Sequence, residues 1–259
     1  MERSDWLVAS LLAIALCRPA AHAEQITVKH VQLPMHRFMV ARSESGQIIA
    51  DVEFSQAVQG DQVTMHVIYR FVDGSIDDEE TTYMQQGTFR LVRDHHVQIG
   101  PFFSKPLDFS VDASTDMLTS RTDKNGKIHV ESKHMHLPDD LANGIVGTLL
   151  LNVPHNTTPF RVGMLTPVAG GRLIRLLISP EEEQTVHLAG QTVKATVFRV
   201  HPELGGIVSV IARLLGLQPK DVMVWVLEGD EPAVAVVVGQ LGGSGPVVSA
   251  DLVGASFDK

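Results

Sequence analysis

The chain has a single cysteine among 259 residues, few aromatic residues, and no apolar run long enough to form a membrane-spanning helix. One cysteine cannot form a disulfide within the chain, so stability must come from burying apolar side chains. Lys and Arg number 21 against 30 Asp and Glu, which gives a net charge of −9. Such an acidic chain is a poor electrostatic match to nucleic acid, and we expect no nucleic-acid partner.

The first 23 residues have the pattern of a secretory signal peptide. An apolar stretch runs from Trp6 to Cys17, and Ala21 and Ala23 then place small residues at positions −3 and −1 of a cleavage site. We therefore predict an exported protein, periplasmic or secreted, with a signal peptide over 1–23 and a single mainly-β domain over 24–259. Two alternatives remain open, a lipid-modified Cys17 and a short N-terminal anchor or core helix.

Alternating apolar and polar residues dominate the chain after the signal segment. The apolar residues of Ile48–Phe54 and Val63–Phe71 recur at every second position, and turn residues such as Asp73-Gly74 and Asp123–Gly126 separate the runs. This period of two predicts an antiparallel meander. Further strands are predicted near Phe160–Thr166, Arg172–Ser179, Gln191–Val200, Asp221–Leu227, Ala233–Leu241 and Val247–Val253.

Two short apolar segments interrupt the alternation and are predicted to be helices. Asp139–Val153 begins after a proline with acidic residues, and Glu203–Leu217 is apolar nearly all round, which is typical of a buried helix. The predicted fold is mainly β, a large curved antiparallel sheet or half-open β-barrel with these two short apolar helices on its concave side. Two sub-lobes divided near Pro154–Pro159 are the alternative.

Histidine is the one residue type that is numerous enough to suggest metal chemistry. His134 and His136 are two residues apart on a predicted strand, so they share a face, as zinc ligands on β-sheets do. The alternative is an exposed strand face with solvated histidines. The acidic run Asp77–Glu80 is interpreted as a solvated strand or loop, with calcium binding as the alternative. No motif predicts a cofactor.

The end of the chain adds a resemblance to a known architecture. The signal segment, the long meander, the apolar helix Glu203–Leu217 and the strand–acidic turn–strand ending Val222–Val238 resemble uncharacterised bacterial periplasmic β-proteins. Those proteins are similar in architecture to the LolA/LolB-like lipoprotein carriers. The resemblance implies a half-open β-barrel that holds an acyl chain or another lipid between its sheet and its helices.

These observations predict a non-enzymatic envelope protein that binds a hydrophobic or lipid-like ligand in the concavity of the sheet. Contact with a membrane surface or with an envelope protein is a further predicted interaction. A metal-dependent hydrolase using His134 and His136 is one alternative, and a structural module that recruits a partner through an exposed edge strand is another. The predicted ligand-binding residues are Val63, Met65, Val67, Tyr69, Phe71, Leu149, Leu150, Ile207, Ile211 and Leu214.

Overall fold

A computed structural model describes residues 25–124, 126–167, 170–188, 190–205, 219–241, 245–253 and 255–257. These residues form fifteen strands and one short helix. In chain order the elements are β1 (Met35–Ser43), β2 (Ile48–Gln59), β3 (Gln62–Phe71), β4 (Ile76–Gln86), β5 (Thr88–Ile99), β6 (Leu107–Asp112), β7 (Met117–Lys124), β8 (Lys127–His134), α1 (Val146–Leu150), β9 (Phe160–Thr166), β10 (Arg172–Leu188), β11 (Gln191–Glu203), β12 (Val222–Leu227), β13 (Ala233–Gln240), β14 (Val247–Leu252) and β15 (Ala255–Phe257).

All the strands belong to one antiparallel sheet. Its order is β15-β10-β11-β12-β13-β14-β1-β2-β3-β4-β5-β6-β7-β8, with β9 also paired to β10. Tight turns join the first strands, as at Gly60, whose φ of 61° lies in the left-handed region that glycine adopts without strain. In the described part of the chain no hydrogen bonds join β8 to β9 or β15, so the sheet is not closed. The predicted mainly-β fold with one large antiparallel sheet is confirmed.

The sheet curves around a segment that lies against its concave face, Leu137–Val153, which we call the plug segment. One core contains side chains from β3–β7, from β9–β12 and from the plug segment. Strands distant in the sheet order can share a core with the same short segment only if the sheet bends around it. Two smaller cores lie beside it, one built on β10–β13 and one on β1–β3 and β14.

Buried asparagines hold the plug segment in place. Asn143 donates to the carbonyl of Leu165 at 2.9 Å and accepts from the Leu165 N–H at 2.8 Å, as a neighbouring strand would. The Asn152 side chain accepts the N–H groups of Lys29 and His30 at 2.8 and 2.7 Å. Buried polar groups with satisfied hydrogen bonds fix one arrangement of a core, because any other arrangement leaves them unpaired.

The prediction of two helices is not borne out. Instead of a helix over Asp139–Val153, the plug segment has a helix of five residues, α1. Leu141 forms a β-bridge with Gly163 of β9, and Gly144 has a φ of 66°. Neither conformation is compatible with an α-helix, so the helix cannot begin before α1. Most of the second predicted helix falls on residues 206–218, which lie outside the described residues. None of the helical structure in the described ranges has the length and apolar character needed to cross a membrane.

Candidate functional site

The pairing of β2–β6 places ionisable residues on the concave face of the sheet. Strand register aligns side chains of this face into three rows of five, one residue from each strand. The middle row is Phe54, Val67, Glu79, His96 and Phe109. The lower row is Val52, Tyr69, Asp77, Gln98 and Leu107. The upper row is Gln56, Met65, Thr81, Asp94 and Val111.

Hydrogen bonds link the polar members of these rows. His96 Nε2 lies 2.5 Å from Asp77 Oδ1, and Gln98 Nε2 donates to Asp77 Oδ2 at 3.0 Å. Thr81 Oγ1 donates to Asp94 Oδ1 at 2.8 Å. Asp77 and Asp94 are buried, with 4% and 1% of their surfaces exposed. We call Asp77, Glu79, Asp94 and His96 the acid–histidine cluster.

Burial changes the proton affinities of this cluster. Burial, together with the nearby charge of Glu79, raises the pKa of Asp94 to about 7. Burial alone would lower the pKa of His96, but the hydrogen bond to Asp77 and the charges of the neighbouring carboxylates raise it to about 9. The pKa of Glu79 is also raised, chiefly by burial. Perturbed ionisable groups on a concave face are characteristic of functional sites, although structural networks produce them too.

Glu79 differs from the other members because no hydrogen bond reaches its carboxyl group from any described residue. Its cross-strand neighbours on the concave face are Val67 on one side and His96 on the other. All three side chains keep part of their surface accessible. The middle row therefore offers a partly open apolar surface with an unpartnered carboxyl group at its centre.

Two segments cover the concave face, one on each side of the middle row, and we call them the covers. The plug segment presses on the upper row so closely that a Cβ atom built on Gly144 would lie 2.0 Å from Thr81 Oγ1 and 3.0 Å from Asp94 Oδ1. Beyond the lower row, the loop after β5 folds back over the sheet. There Phe102 donates its N–H to Ser75 Oγ at 2.9 Å, and its ring stacks on Phe71 at 4.2 Å.

The predicted ligand-binding residues divide into buried and partly accessible groups. Val63 and Met65 are buried in the main core, as are Leu149 and Leu150 of the plug segment. On β3, Val67 and Tyr69 are partly accessible on the concave face, whereas Phe71 is buried under the rings of Phe102 and Phe103. Three more predicted residues, Ile207, Ile211 and Leu214, lie outside the described residues.

Two pockets of this structure lie away from the middle row. One of about 210 Å³ opens beside the plug segment, between Met84, Arg90 and Pro138. The other, of about 420 Å³, lies between Gln184 and Trp225. Neither is lined by any of the predicted ligand-binding residues. Neither pocket is lined by a residue of the middle row, so we expect that a ligand bound there would displace one of the covers.

The predicted metal ligands His134 and His136 are exposed. The His136 side chain is 95% exposed and lies 3.5 Å from Asp116 Oδ2. In the part of the chain that the structure describes, no third ligand joins the two histidines. Three potential ligand atoms do converge within 4.8 Å elsewhere in that part, on His155, Glu183 and Glu228. These are largely surface groups of a kind that is common without a metal, and the hydrolase alternative stays a prediction.

Strand alternation also bears on two other sequence hypotheses. Within Asp77–Glu80 the side chains point alternately to the concave and the outer face, so the four carboxylates do not form one calcium site. The edge strand β8 is exposed along its whole length and carries Lys127, Glu131 and Lys133. Charged residues on an edge strand oppose pairing with another chain, so this edge does not favour the interaction-module alternative.

Sequence reasoning missed the acid–histidine cluster because it interpreted Asp77–Glu80 as solvated. The missing information was the length of the loop at Asp73-Gly74. The structure closes it as a three-residue loop between Phe71 and Ser75, which aligns Tyr69 with Asp77 and Val67 with Glu79. A two-residue loop would instead have aligned Val67 with Glu80. Tyr69 and Val67 were already assigned to the concave face, so the register of the hairpin places the two carboxylates there as well.

Comparisons with known proteins give one structural match. No protein-family model and no curated protein matches the chain. A crystal structure of a β-barrel-like protein of the domain of unknown function DUF1849 from Brucella abortus superposes with a TM-score of 0.45 at 9% sequence identity. The match covers 89% of this chain and 100% of that chain. At this level the match supports no assignment, and the resemblance to lipoprotein carriers stays a prediction.

Proposed function

We propose that this protein binds a hydrophobic, lipid-like ligand on the concave face of its sheet and performs no chemistry on it. The observation that carries the proposal is the middle row, where Phe54 and Val67 stay partly accessible while Met65 and Val111 of the upper row are closed over by core packing. Burying an acyl chain against such side chains contributes about 0.8 kcal/mol per CH₂ group. The signal-peptide pattern of residues 1–23 supports the part of the proposal that has the ligand bound in the envelope or outside the cell.

The loop that carries Phe102 and Phe103 is the cover that we expect to move. The two rings pack on Phe71 and on each other, and the hydrogen bond from the Phe102 N–H to Ser75 Oγ ties the loop to the residue before β4. The plug segment, in contrast, is held by buried asparagine side chains and contributes to the main core. Displacing partly accessible rings costs less than breaking buried polar contacts, so the entry route passes under this loop.

The first test is whether a lipid accompanies the protein. The full chain, exported by an expression host and purified without detergent, would be measured by native mass spectrometry, with Nile red fluorescence as a titration. We expect co-purifying lipid or saturable binding of Nile red. Absence of both would contradict the proposal.

Two phenylalanines provide matched variants for that titration. Phe54 lies on the concave face, whereas Phe38 on the neighbouring strand is 59% exposed on the outer face. We expect Phe54→Ala to weaken Nile red binding by about tenfold or more, which corresponds to about 1.4 kcal/mol, and Phe38→Ala to leave it unchanged. Equal effects of the two variants would show that the dye binds elsewhere.

A further inference from the structure

The concave rows carry an excess of acidic groups. Their ionisable side chains, besides Tyr69, are three carboxyl groups and one histidine, and none of the fifteen residues is Lys or Arg. Asp77 is satisfied by His96 and by Gln98, and Asp94 by Thr81. This assignment leaves Glu79 as the one carboxyl group of the cluster with no hydrogen-bond donor among the described residues.

A partly buried carboxyl group without a hydrogen-bond donor is costly for a protein that has no use for it. Asp77 lies two positions away on the same strand and Asp94 lies diagonally opposite on β5. The positive charge closest in the register, His96, attracts Glu79 but is already hydrogen-bonded to Asp77. A group that carries positive charge and N–H donors would compensate both effects. A carboxylate or phosphate would add a further negative charge to the same place.

We propose that the ligand is an amphiphile with an amine head group, whose ammonium pairs with Glu79 while its apolar chain lies along Val67 and Phe54. This inference rests on the proposed function, because it assigns the polar end of the same ligand. Glu79 is the residue that binds the ammonium group. The neighbouring Asp77 and His96 are hydrogen-bonded to each other, so they form one fixed side of the site. The middle row selects the amine over an anionic head group by charge and over a neutral head group by the ion pair.

The test compares three probes with the same twelve-carbon chain and different head groups: dodecylamine, dodecanoate and dodecanol. Each would displace Nile red from the full chain at pH 7.5, below the micellar concentration. We expect dodecylamine to bind at least tenfold more tightly than either of the others. We expect the Glu79→Gln variant to bind the three probes equally. The Glu79→Asp variant, which keeps the negative charge, should retain a preference for dodecylamine.

Glu80→Gln is the matched control, since Glu80 is the next residue on β4 and is exposed on the outer face. The same change in net charge occurs there without a change on the concave face, so the amine preference is expected to survive. An amine preference that persists in a folded Glu79→Gln protein would overturn the inference and point to the overall negative charge. Equal binding of the three probes to the unmodified chain would overturn the inference and leave the proposed function standing. Failure of all three to bind would contradict the proposed function itself.

Discussion

The two faces of strands β3–β5 carry the same kinds of residue in very different surroundings. On the concave face His96 meets Asp77 at 2.5 Å, and its side chain is 24% exposed. On the outer face His66 meets Asp78 at 2.7 Å, and its side chain is 40% exposed. On the concave face burial raises the pKa of Asp94, whereas for His96 the hydrogen bond to Asp77 and the nearby carboxylates outweigh the opposite effect of burial and raise the pKa. Residues that are neighbours in the sequence and alike in chemistry therefore differ in burial because of the face they occupy.

The difference between the faces depends on the covers that close the concave one. The outer face is open to water, where an ion pair contributes little to stability because solvent competes for both partners. The concave face is shielded by the plug segment and by the loop of Phe102 and Phe103. Any change that lifts a cover should therefore make the two faces more alike.

The largest expected effect is the loss of stability on placing a side chain at Gly144. Gly144→Ala forces a Cβ atom into Thr81 Oγ1 at 2.0 Å and also puts alanine at a φ of 66°. The positive φ costs about 1–2 kcal/mol and the overpacking about 1–3 kcal/mol more. We expect the urea unfolding midpoint to fall accordingly, by about 2–5 kcal/mol in free energy of unfolding.

Gly60 is the control for that substitution. It has a similar φ of 61°, and nothing lies within 4 Å of a Cβ atom built there. Gly60→Ala should therefore show the backbone cost of about 1–2 kcal/mol alone. Equal losses at the two glycines would contradict the close packing of the plug segment on the upper row.

A smaller loss is expected on removing the charge from the buried partner of His96. Asp77→Asn weakens the hydrogen bonds from His96 and Gln98 in a place that water cannot compensate. Hydrogen bonds to charged groups contribute about 1.5–3 kcal/mol, and we expect a loss in that range in urea unfolding at pH 7. Asp78→Asn, the same change one residue away on the outer face, should cost about 0–1 kcal/mol. If the two variants lost equal stability, the concave face would be as solvated as the outer one.

The antiparallel sheet could be predicted from the sequence because its signals are local. Strand alternation and turn residues such as Asp73-Gly74 act over a few positions, and the structure forms strands where they predicted them. The prediction of a short helix over Asp139–Val153 was wrong for a reason that is not local. Leu141 bridges to Gly163, and the Asn143 side chain pairs with Leu165, both on β9, and these tertiary contacts compete with the helix.

The candidate site could be predicted only in part, for a similar reason. Alternation along β3 identified Val67 and Tyr69 on the concave face. It could not distinguish these partly accessible residues from Val63 and Met65, which are buried in the main core. Solvent exposure of a strand position depends on what covers it, and here the covers come from distant parts of the chain. The burial of Asp77 and Asp94 opposes the usual preference of carboxylates for the surface, so residue type misled the interpretation.

The pH dependence of stability separates the faces by a smaller effect. Asp94 has its pKa raised from an ordinary 3.8 to about 7, and His96 from 6.5 to about 9. In each window the folded chain binds more protons than the unfolded chain, so stability is fully present at the acidic end and is lost as pH rises. We expect the free energy of unfolding to fall between pH 4 and pH 9, as measured by urea titrations.

Substitutions of Asp94 and His96 test which of the two residues causes each part of that pH dependence. Asp94→Asn should flatten the acidic part, below about pH 7, and His96→Gln the part between 6.5 and about 9. His95→Gln changes the neighbouring residue, which pairs with Asp108 on the outer face at 3.0 Å. Because the charge of His95 is the weakest of the causes that act on the pKa of Asp94, this variant should change the slope far less than His96→Gln does. A slope that responds to His95 and not to His96 would reverse the assignment of the faces.

The smallest effect is expected at Glu80. Its side chain is exposed on the outer face, opposite His66 and His95 in the strand register. Surface substitutions of this kind change stability by about 0.5 kcal/mol or less, and Glu80→Gln should stay within that limit in thermal unfolding. Glu79→Gln removes a partly buried carboxyl group whose pKa is raised chiefly by burial and which has no hydrogen-bond donor among the described residues, so it should instead raise stability at high pH, where Glu79 is charged. A measured gain at Glu79 with no change at Glu80 would show that Glu79 is retained at a cost to folding, as expected for a residue kept for binding.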